Sequence, residues 1–263
     1  MKKIITTVLI LSVASWMLAG CQTQSTLSTG PNRGLPDTGP NLKEAAEKRR
    51  TLGLKYLELG NYQRAKINLE KALRYEPDSA ENQAAMGYYF QVVREFDKAE
   101  QHFREALSLA PNDGGILNLY GTFLCAAERY AAAERYFLKA IEAPGYANIA
   151  QTYENAGVCA LRAGNKEVAE EYFEKALNHN PESPTALLGL AKFRFEQNRL
   201  IEARSLLKEH LKVAPVSAEA LWLGVQIEER LGDKDAMASY ALKLTGLFPN
   251  SPEAKAYRQW RQK

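Results

Sequence analysis

The chain has 263 residues, of which 46% are hydrophobic and 25% charged, with 17 Gly, 11 Pro and 3 Cys. This is the composition of a folded globular protein and excludes a collagen-like or largely disordered chain. Without Lys2 and Lys3, which lie in a segment predicted to be removed, 32 basic residues face 31 acidic ones. A chain so close to neutrality lacks the strong positive charge of a nucleic-acid-binding protein.

The first 20 residues predict a lipoprotein signal peptide. Two lysines precede an apolar run from Ile4 to Leu18, which is too short and too interrupted by Ser and Thr for a transmembrane helix. The run ends in Leu-Ala-Gly-Cys, which resembles the lipobox of bacterial lipoproteins and predicts that Cys21 is the lipidated mature N-terminus. The alternative is an ordinary signal peptide with an incidental Cys. Gln22 follows in place of Asp, and by this resemblance the protein is anchored to the periplasmic face of the outer membrane.

Residues 21–41 are predicted to be the lipidated Cys and a flexible linker. The segment consists largely of Ser, Thr, Gly, Pro and Asn and has scarcely any apolar residue, so it cannot bury enough surface to fold. Two or more acyl chains on Cys21 would make attachment to the membrane effectively permanent. The sequence therefore predicts a folded body tethered to a bilayer by a short linker.

From Leu42 onward the sequence repeats itself. Small residues recur at intervals of 34 to 36, as Gly53, Gly87, Gly121 and Gly157, and again as Ala65, Ala99, Ala133, Ala169 and Ala203. This period matches the tetratricopeptide repeat, a pair of antiparallel helices. We therefore predict an all-α superhelix over 42–263. It comprises six helix-turn-helix units starting near Ala46, Ala80, Gly114, Ala150, Pro184 and Ala218, and a capping helix from about Pro252.

The small residues let the two helices of each unit approach closely, and large apolar residues fill the remaining seam. Those residues are predicted to be Tyr56, Phe90 and Leu124 on first helices and Leu69, Phe103, Phe137 and Phe173 on second helices. The fifth unit departs from this pattern at His210, where Ala is usual. The sixth has Val225, Met237 and Leu244 at its three small positions, which predicts a wider or register-shifted helix pair.

Enzyme motifs are not found in the sequence. It contains no phosphate-binding loop, no Gly-x-Ser-x-Gly turn and no His-Glu-x-x-His. Its three histidines lie at no metal-ligand spacing from a Cys, and acidic pairs such as Glu228-Glu229 are interpreted as solvated helix faces. The sequence predicts no enzyme, no metal, no small-molecule substrate and no cofactor apart from the covalent lipid on Cys21.

The first helices of such a solenoid line its concave side, where a partner peptide or helix binds. By repeat position, the partner-binding groove is predicted to contain Leu54, Leu57, Tyr88, Gln91, Asn118 and Thr122. Later units add Val158, Leu161, Leu188, Lys192, Phe195, Trp222 and Gln226. For any single one of these residues, packing between repeats is an equally good interpretation. The apolar and aromatic N-terminal end favours an amphipathic helix or an extended peptide as the partner.

Cys125 and Cys159 lie 34 residues apart on the first helices of the third and fourth units. The predicted periplasmic location is oxidising, and two Cys remain once Cys21 is lipidated. A disulfide between neighbouring repeats is therefore the favoured prediction, with two buried thiols as the alternative.

Taken together, these features resemble one known family, the type IV pilus biogenesis and stability lipoproteins (PilF/PilW), which are pilotins for the secretin. The resemblance rests on Cys21, the six repeats, and the segments 118–121 with Cys125 and 154–157 with Cys159. It implies a protein that binds secretin subunits and promotes their outer-membrane localisation and multimerisation for type IV pilus assembly. We expect the protein to be monomeric. The alternative is a tetratricopeptide lipoprotein that acts as a scaffold for cell-wall enzymes in the periplasm.

Overall fold

The computed structural model describes residues 41–262 and forms thirteen α-helices there. Six antiparallel helix pairs follow one another, and a single helix closes the series, which confirms the predicted all-α repeat fold. No strand occurs within this range. The helices are α1 Leu42–Glu58, α2 Tyr62–Tyr75, α3 Ala80–Val92, α4 Phe96–Leu109, α5 Gly114–Ala126, α6 Tyr130–Ile141, α7 Ile149–Arg162, α8 Lys166–His179, α9 Pro184–Glu196, α10 Leu200–Val213, α11 Ala218–Leu231, α12 Lys234–Leu247 and α13 Pro252–Trp260.

The signal peptide, the lipidation of Cys21 and the linker up to residue 40 fall outside the described residues and stay predictions. At the predicted boundary, α1 starts at Leu42, four residues before the repeat start that the period places near Ala46. Asn41 caps this helix because its side-chain oxygen accepts a hydrogen bond from the backbone N–H of Glu44, at 3.1 Å.

Close helix packing inside each unit follows the predicted small residues. A Cβ atom added to Gly121 would lie 2.7 Å from the Phe137 ring, and one added to Gly87 would lie 3.0 Å from the Phe103 ring. A side chain at either position would force the facing ring to move, so glycine there lets a large ring lie directly on the backbone of the facing helix. Phe103 and Phe137 are fully buried as a result.

The turn inside each unit contains one residue with positive φ, and this residue has the same repeat position in all six units. The six residues are Gly60, Arg94, Glu128, Gly164, Asn198 and Gly232, with φ between 60° and 81°. Glycine adopts this conformation without steric cost, whereas Arg94, Glu128 and Asn198 adopt it against their intrinsic preference.

The sixth unit shifts its register by one residue. Its close approach uses Gly224, one position before the expected Val225, and a Cβ there would lie 2.8 Å from the Tyr240 ring. Val225 and Leu244 are instead buried against the closing helix, in a cluster with Ala254 and Tyr257. Of the two predicted outcomes, a wider pair or a shifted one, the structure adopts the shift.

In the last two units, charged residues occupy the repeat position that holds the apolar residues Tyr56 and Phe90 in the first two units. In the fifth unit this position is Arg194, whose guanidinium donates to Glu170 and, at 2.7 Å, to Glu174 of the fourth unit. In the sixth it is Glu228, which accepts both bonds of a bidentate pair from Arg204 of the fifth unit. Glu228 is therefore buried and paired, which corrects its interpretation as part of a solvated face.

The groove along the first helices as candidate binding site

The curvature of the solenoid follows from which helices meet between repeats. Each first helix contacts the first helix of the next unit, from α1 and α3 through to α11 and α13. The second helices make no such contact with one another within residues 41–262. The repeats are therefore closer together along their first helices, and these helices form the inner side on which the groove was predicted.

The apolar N-terminal end of the predicted groove is smaller than the sequence indicated. Leu57 is only 5% exposed and belongs to the buried core with Tyr89 and Phe90. Leu57 is thus a core residue and not a groove-lining one. Leu54 is half-buried against the same core, whereas Tyr88 has 36% of its surface exposed and is open to a partner.

The polar residues predicted in the second and third units are held by local contacts. The side-chain oxygen of Asn118 accepts a hydrogen bond from Asn155 of the next unit at 3.0 Å. The Thr122 hydroxyl donates to the carbonyl of Leu119 at 2.7 Å. Gln91 is half-buried, and its side-chain oxygen has no hydrogen-bond partner among the described residues. The structure therefore fixes Asn118 and Thr122 and leaves one acceptor of Gln91 unused.

A depression lies further along the same side, between the fourth and fifth units, with a volume of about 390 Å³. Its lining includes Val158, Leu161, Leu188, Lys192, Glu196, His210 and Glu219. Two ion pairs join neighbouring repeats there, Lys166 with Glu196 at 2.6 Å and Lys192 with Glu219. Because each cation has an anionic partner, the lining has little net charge and suits an apolar segment with few charges of its own.

His210 is a feature of this depression that the sequence showed only as a departure from Ala. Its ring is buried, and Nδ1 lies 2.9 Å from the backbone carbonyl oxygen of Pro184. This contact requires the proton on Nδ1. Nε2 has no hydrogen-bond partner in the described part of the chain.

Cys125 and Cys159 are joined by a disulfide in the structure. Their Cα atoms lie 5.7 Å apart, within the usual range for such a bond, and both residues are buried. The bond connects α5 to α7 and so links the first helices of the third and fourth units side by side.

Within residues 41–262, no group of His, Cys, Asp and Glu side chains is arranged to hold a metal ion. None of the thirteen helices there has the length and apolar character needed to cross a bilayer. These residues form an extended groove that exposes Tyr88 and a largely apolar depression whose charges are paired. Both are features of a site that binds a peptide segment or a helix.

Comparison with known proteins agrees with this description. Models of the tetratricopeptide repeat match residues 51–79, 112–182 and 160–223. The type IV pilus assembly protein PilF of Pseudomonas aeruginosa is 32% identical over 244 residues, which cover 92% of this chain and 93% of that protein. An uncharacterised protein of Haemophilus influenzae is 30% identical over 135 residues, covering 51% of this chain and 75% of that protein.

Two solved structures extend the similarity to three dimensions. The structure of P. aeruginosa PilF matches with a TM-score of 0.72 at 32% identity and covers 83% of this chain and 98% of that one. The structure of PilW, a widely conserved type IV pilus biogenesis factor, matches with a TM-score of 0.69 at 30% identity and covers 81% and 97%. The chain therefore belongs to the PilF/PilW family of tetratricopeptide-repeat proteins of type IV pilus biogenesis.

Proposed function

We propose that this protein is a non-enzymatic outer-membrane lipoprotein that binds secretin subunits and promotes their multimerisation for type IV pilus assembly. The observation that carries the proposal is the similarity to PilF along almost the whole chain, 92% of this one and 93% of the relative. The lipobox at Cys21 supports a membrane anchor, and the groove along the first helices supplies a surface on which a partner segment can bind. In this proposal the lipid anchor determines where the protein is located, and the repeats recognise the partner.

Tyr88 offers the sharpest test of recognition because it is the most exposed of the three large apolar residues predicted for the N-terminal groove. A central aromatic contact in an interface carries about 2 kcal/mol or more. We therefore expect Tyr88→Glu to reduce SDS-resistant secretin multimers in envelope extracts by roughly tenfold or more. The measurement is an immunoblot of the secretin in a strain whose only copy of this protein is the variant.

A matched control places the same charge on the outer side of the solenoid. Leu138 on the second helix α6 is 40% exposed, and Leu138→Glu should leave the multimers unchanged. Equal thermal unfolding of both variants, followed by circular dichroism, shows that the fold is intact. Normal multimers with a folded, anchored Tyr88→Glu protein would contradict the assignment of this groove. Co-purification of cell-wall hydrolases without the secretin would contradict the proposed partner.

A further inference from the structure

The first helix of every unit after the first is buried on the side that faces the preceding unit. Fifteen residues at three repeat positions form this buried side: Asn82, Met86 and Tyr89; Ile116, Tyr120 and Phe123; Thr152, Ala156 and Cys159; Ala186, Leu190 and Phe193; and Ala220, Gly224 and Ile227. In the first unit the same three positions are Lys48, Leu52 and Lys55. No unit precedes it within the described residues, so these side chains form an exposed end of the solenoid.

This N-terminal end face has a defined pattern. Leu52 and Leu59 lie two helical turns apart on one side of α1 and are 40% and 69% exposed. Lys48 and Lys55 alternate with these leucines along the same side of the helix, with 74% and 63% of their side-chain surface exposed. Arg49 lies next to this face on the side of α2, where its guanidinium donates a hydrogen bond to the side-chain oxygen of Asn68 at 3.0 Å. One side of the first helix thus presents leucines and cations in alternation.

The end face also coincides with a strong separation of charge along the chain. Residues 42–76, the first unit, contain nine Lys and Arg against five Asp and Glu. Residues 77–262 contain 21 against 25. The near-neutral net charge therefore conceals a cationic excess confined to the unit that follows the predicted lipid anchor.

The need to cap a repeat stack accounts for only part of this pattern. Terminal repeats require a polar outer surface, and the lysines fulfil that requirement. The leucines do not, since they leave apolar side chains open to water at the very position where polar residues would serve. Exposed leucines next to cations are instead the combination that binds an anionic bilayer surface, through phosphate contacts and partial burial in the headgroup layer.

We propose that the N-terminal end face, formed by Lys48, Leu52, Lys55 and Leu59 with Arg49, binds the headgroup layer of an anionic lipid bilayer. This inference rests on the proposed function in one respect, the lipid on Cys21. Leu42 begins α1 only 21 residues after that Cys, so an anchored chain presents the face to the bilayer at high effective concentration, and a weak contact suffices. Bound there, the first unit fixes how the groove is oriented relative to the membrane.

Two ion pairs on the face do not oppose this binding. Lys48 pairs with Glu44 at 2.6 Å and Lys55 with Glu58 at 2.9 Å, and all four side chains are more than half exposed. Exposed pairs of this kind contribute little free energy in water. The ammonium groups can therefore exchange a carboxylate partner for a lipid phosphate at low cost.

The test uses the mature chain, residues 21–263, with Cys21→Ser so that no acyl group contributes. Its flotation is measured with phosphatidylcholine vesicles and with vesicles that contain about 30% phosphatidylglycerol, at NaCl concentrations from about 0.05 M to about 0.5 M. We expect binding to the anionic vesicles only, weakening as salt rises. Lys48→Gln with Lys55→Gln should weaken binding roughly tenfold or more, and Leu52→Ser with Leu59→Ser should also weaken it.

The control removes two lysines elsewhere. Lys208 and Lys243 are exposed and form no ion pair among the described residues, and their joint change to Gln should leave binding at the wild-type level. No binding to anionic vesicles, or equal losses in both lysine variants, would overturn the proposal. So would a concentration-dependent dimer in sedimentation that the leucine variant abolishes, since the face would then bind a second copy. Failure here leaves the secretin proposal standing, because multimer formation tests that separately.

Discussion

Glu154 on α7 is a buried carboxylate whose hydrogen-bond partners all belong to the next unit. It accepts bonds from the Ser183 hydroxyl and from the backbone N–H groups of Thr185 and Ala186, the last two at 3.0 and 3.3 Å. The first N–H groups of a helix lack partners within that helix. Ser183 is the N-cap residue of α9, but its side chain makes no capping bond, and Glu154 caps the helix from the neighbouring unit.

We expect Glu154→Ala to lower the free energy of unfolding by about 2–4 kcal/mol, because it leaves buried donors without an acceptor. Glu154→Gln retains one acceptor oxygen and should cost about 1–2 kcal/mol. Urea denaturation followed by circular dichroism measures both. Glu182→Ala is the control, since that exposed side chain next to α9 should matter by less than about 0.5 kcal/mol. Equal losses for Glu154→Ala and Glu182→Ala would contradict the capping role.

The contacts of Glu154 show which roles of single residues could not be predicted from the sequence. Glu154 and its acceptor role were invisible in the sequence because its partners lie about 30 positions away and depend on how two units stack. The prediction that Leu57 lines the groove was wrong for a related reason. Its repeat position indicated the groove, but the residue is buried in the core cluster that also contains Tyr89 and Phe90 of the next unit, and such burial depends on how two units pack.

At the scale of the element, the six turns show what the repeat requires of the backbone. Glu128 has φ of 60° in the turn between α5 and α6, is exposed, and makes no side-chain hydrogen bond or ion pair among residues 41–262. A non-glycine residue loses about 1–2 kcal/mol in this conformation, whereas glycine loses about 0.5–1 kcal/mol through its extra freedom in the unfolded chain. Glycine is therefore the better residue at this position.

We predict that Glu128→Gly raises the free energy of unfolding by about 0.5–1 kcal/mol, as measured by urea denaturation. Gly164→Ala is the reciprocal change in the next unit, at φ of 81°, and should lower it by about 1 kcal/mol. Stabilisation by both substitutions, or by neither, would show that the turn conformation does not control stability here.

The helices themselves were largely predictable, because one 34-residue period gave the starts of α3, α5, α9 and α11 at the residues observed. The period works because glycine and alanine are needed wherever helices touch closely. It loses accuracy in the sixth unit, where Gly224 serves in place of the next residue. There the contact depends on the Tyr240 ring, whose placement follows from packing and not from repeat spacing.

Across the whole molecule, the buried core is not continuous. One large cluster extends from the first unit into the fourth, and smaller clusters serve the later units. The disulfide between Cys125 and Cys159 lies near the end of the large cluster and closes a loop of 34 residues. It therefore stabilises the stack close to the point where its largest core ends.

We expect Cys125→Ser with Cys159→Ser to lower the free energy of unfolding by about 3–4 kcal/mol, from the entropy that a loop of this length regains when unfolded. Urea denaturation with and without a reductant measures the change. Reduction should shift the wild-type transition to that of the double variant and leave the variant itself unaffected. A wild-type transition insensitive to reduction would contradict this contribution of the bond.

Two ion pairs join the last three units where apolar residues join the earlier ones. The earlier unit supplies the carboxylate in one pair and the guanidinium in the other, and this difference restricts the order of the units. The fourth unit presents Glu170 to Arg194 of the fifth, and the fifth presents Arg204 to Glu228 of the sixth, each pair 24 residues apart. If the fifth unit were deleted, Glu228 would meet Glu170, and two carboxylates would repel each other in a buried interface. Although the repeats share one architecture, these last units are not interchangeable modules: shuffling, losing or duplicating one of them would carry an electrostatic penalty.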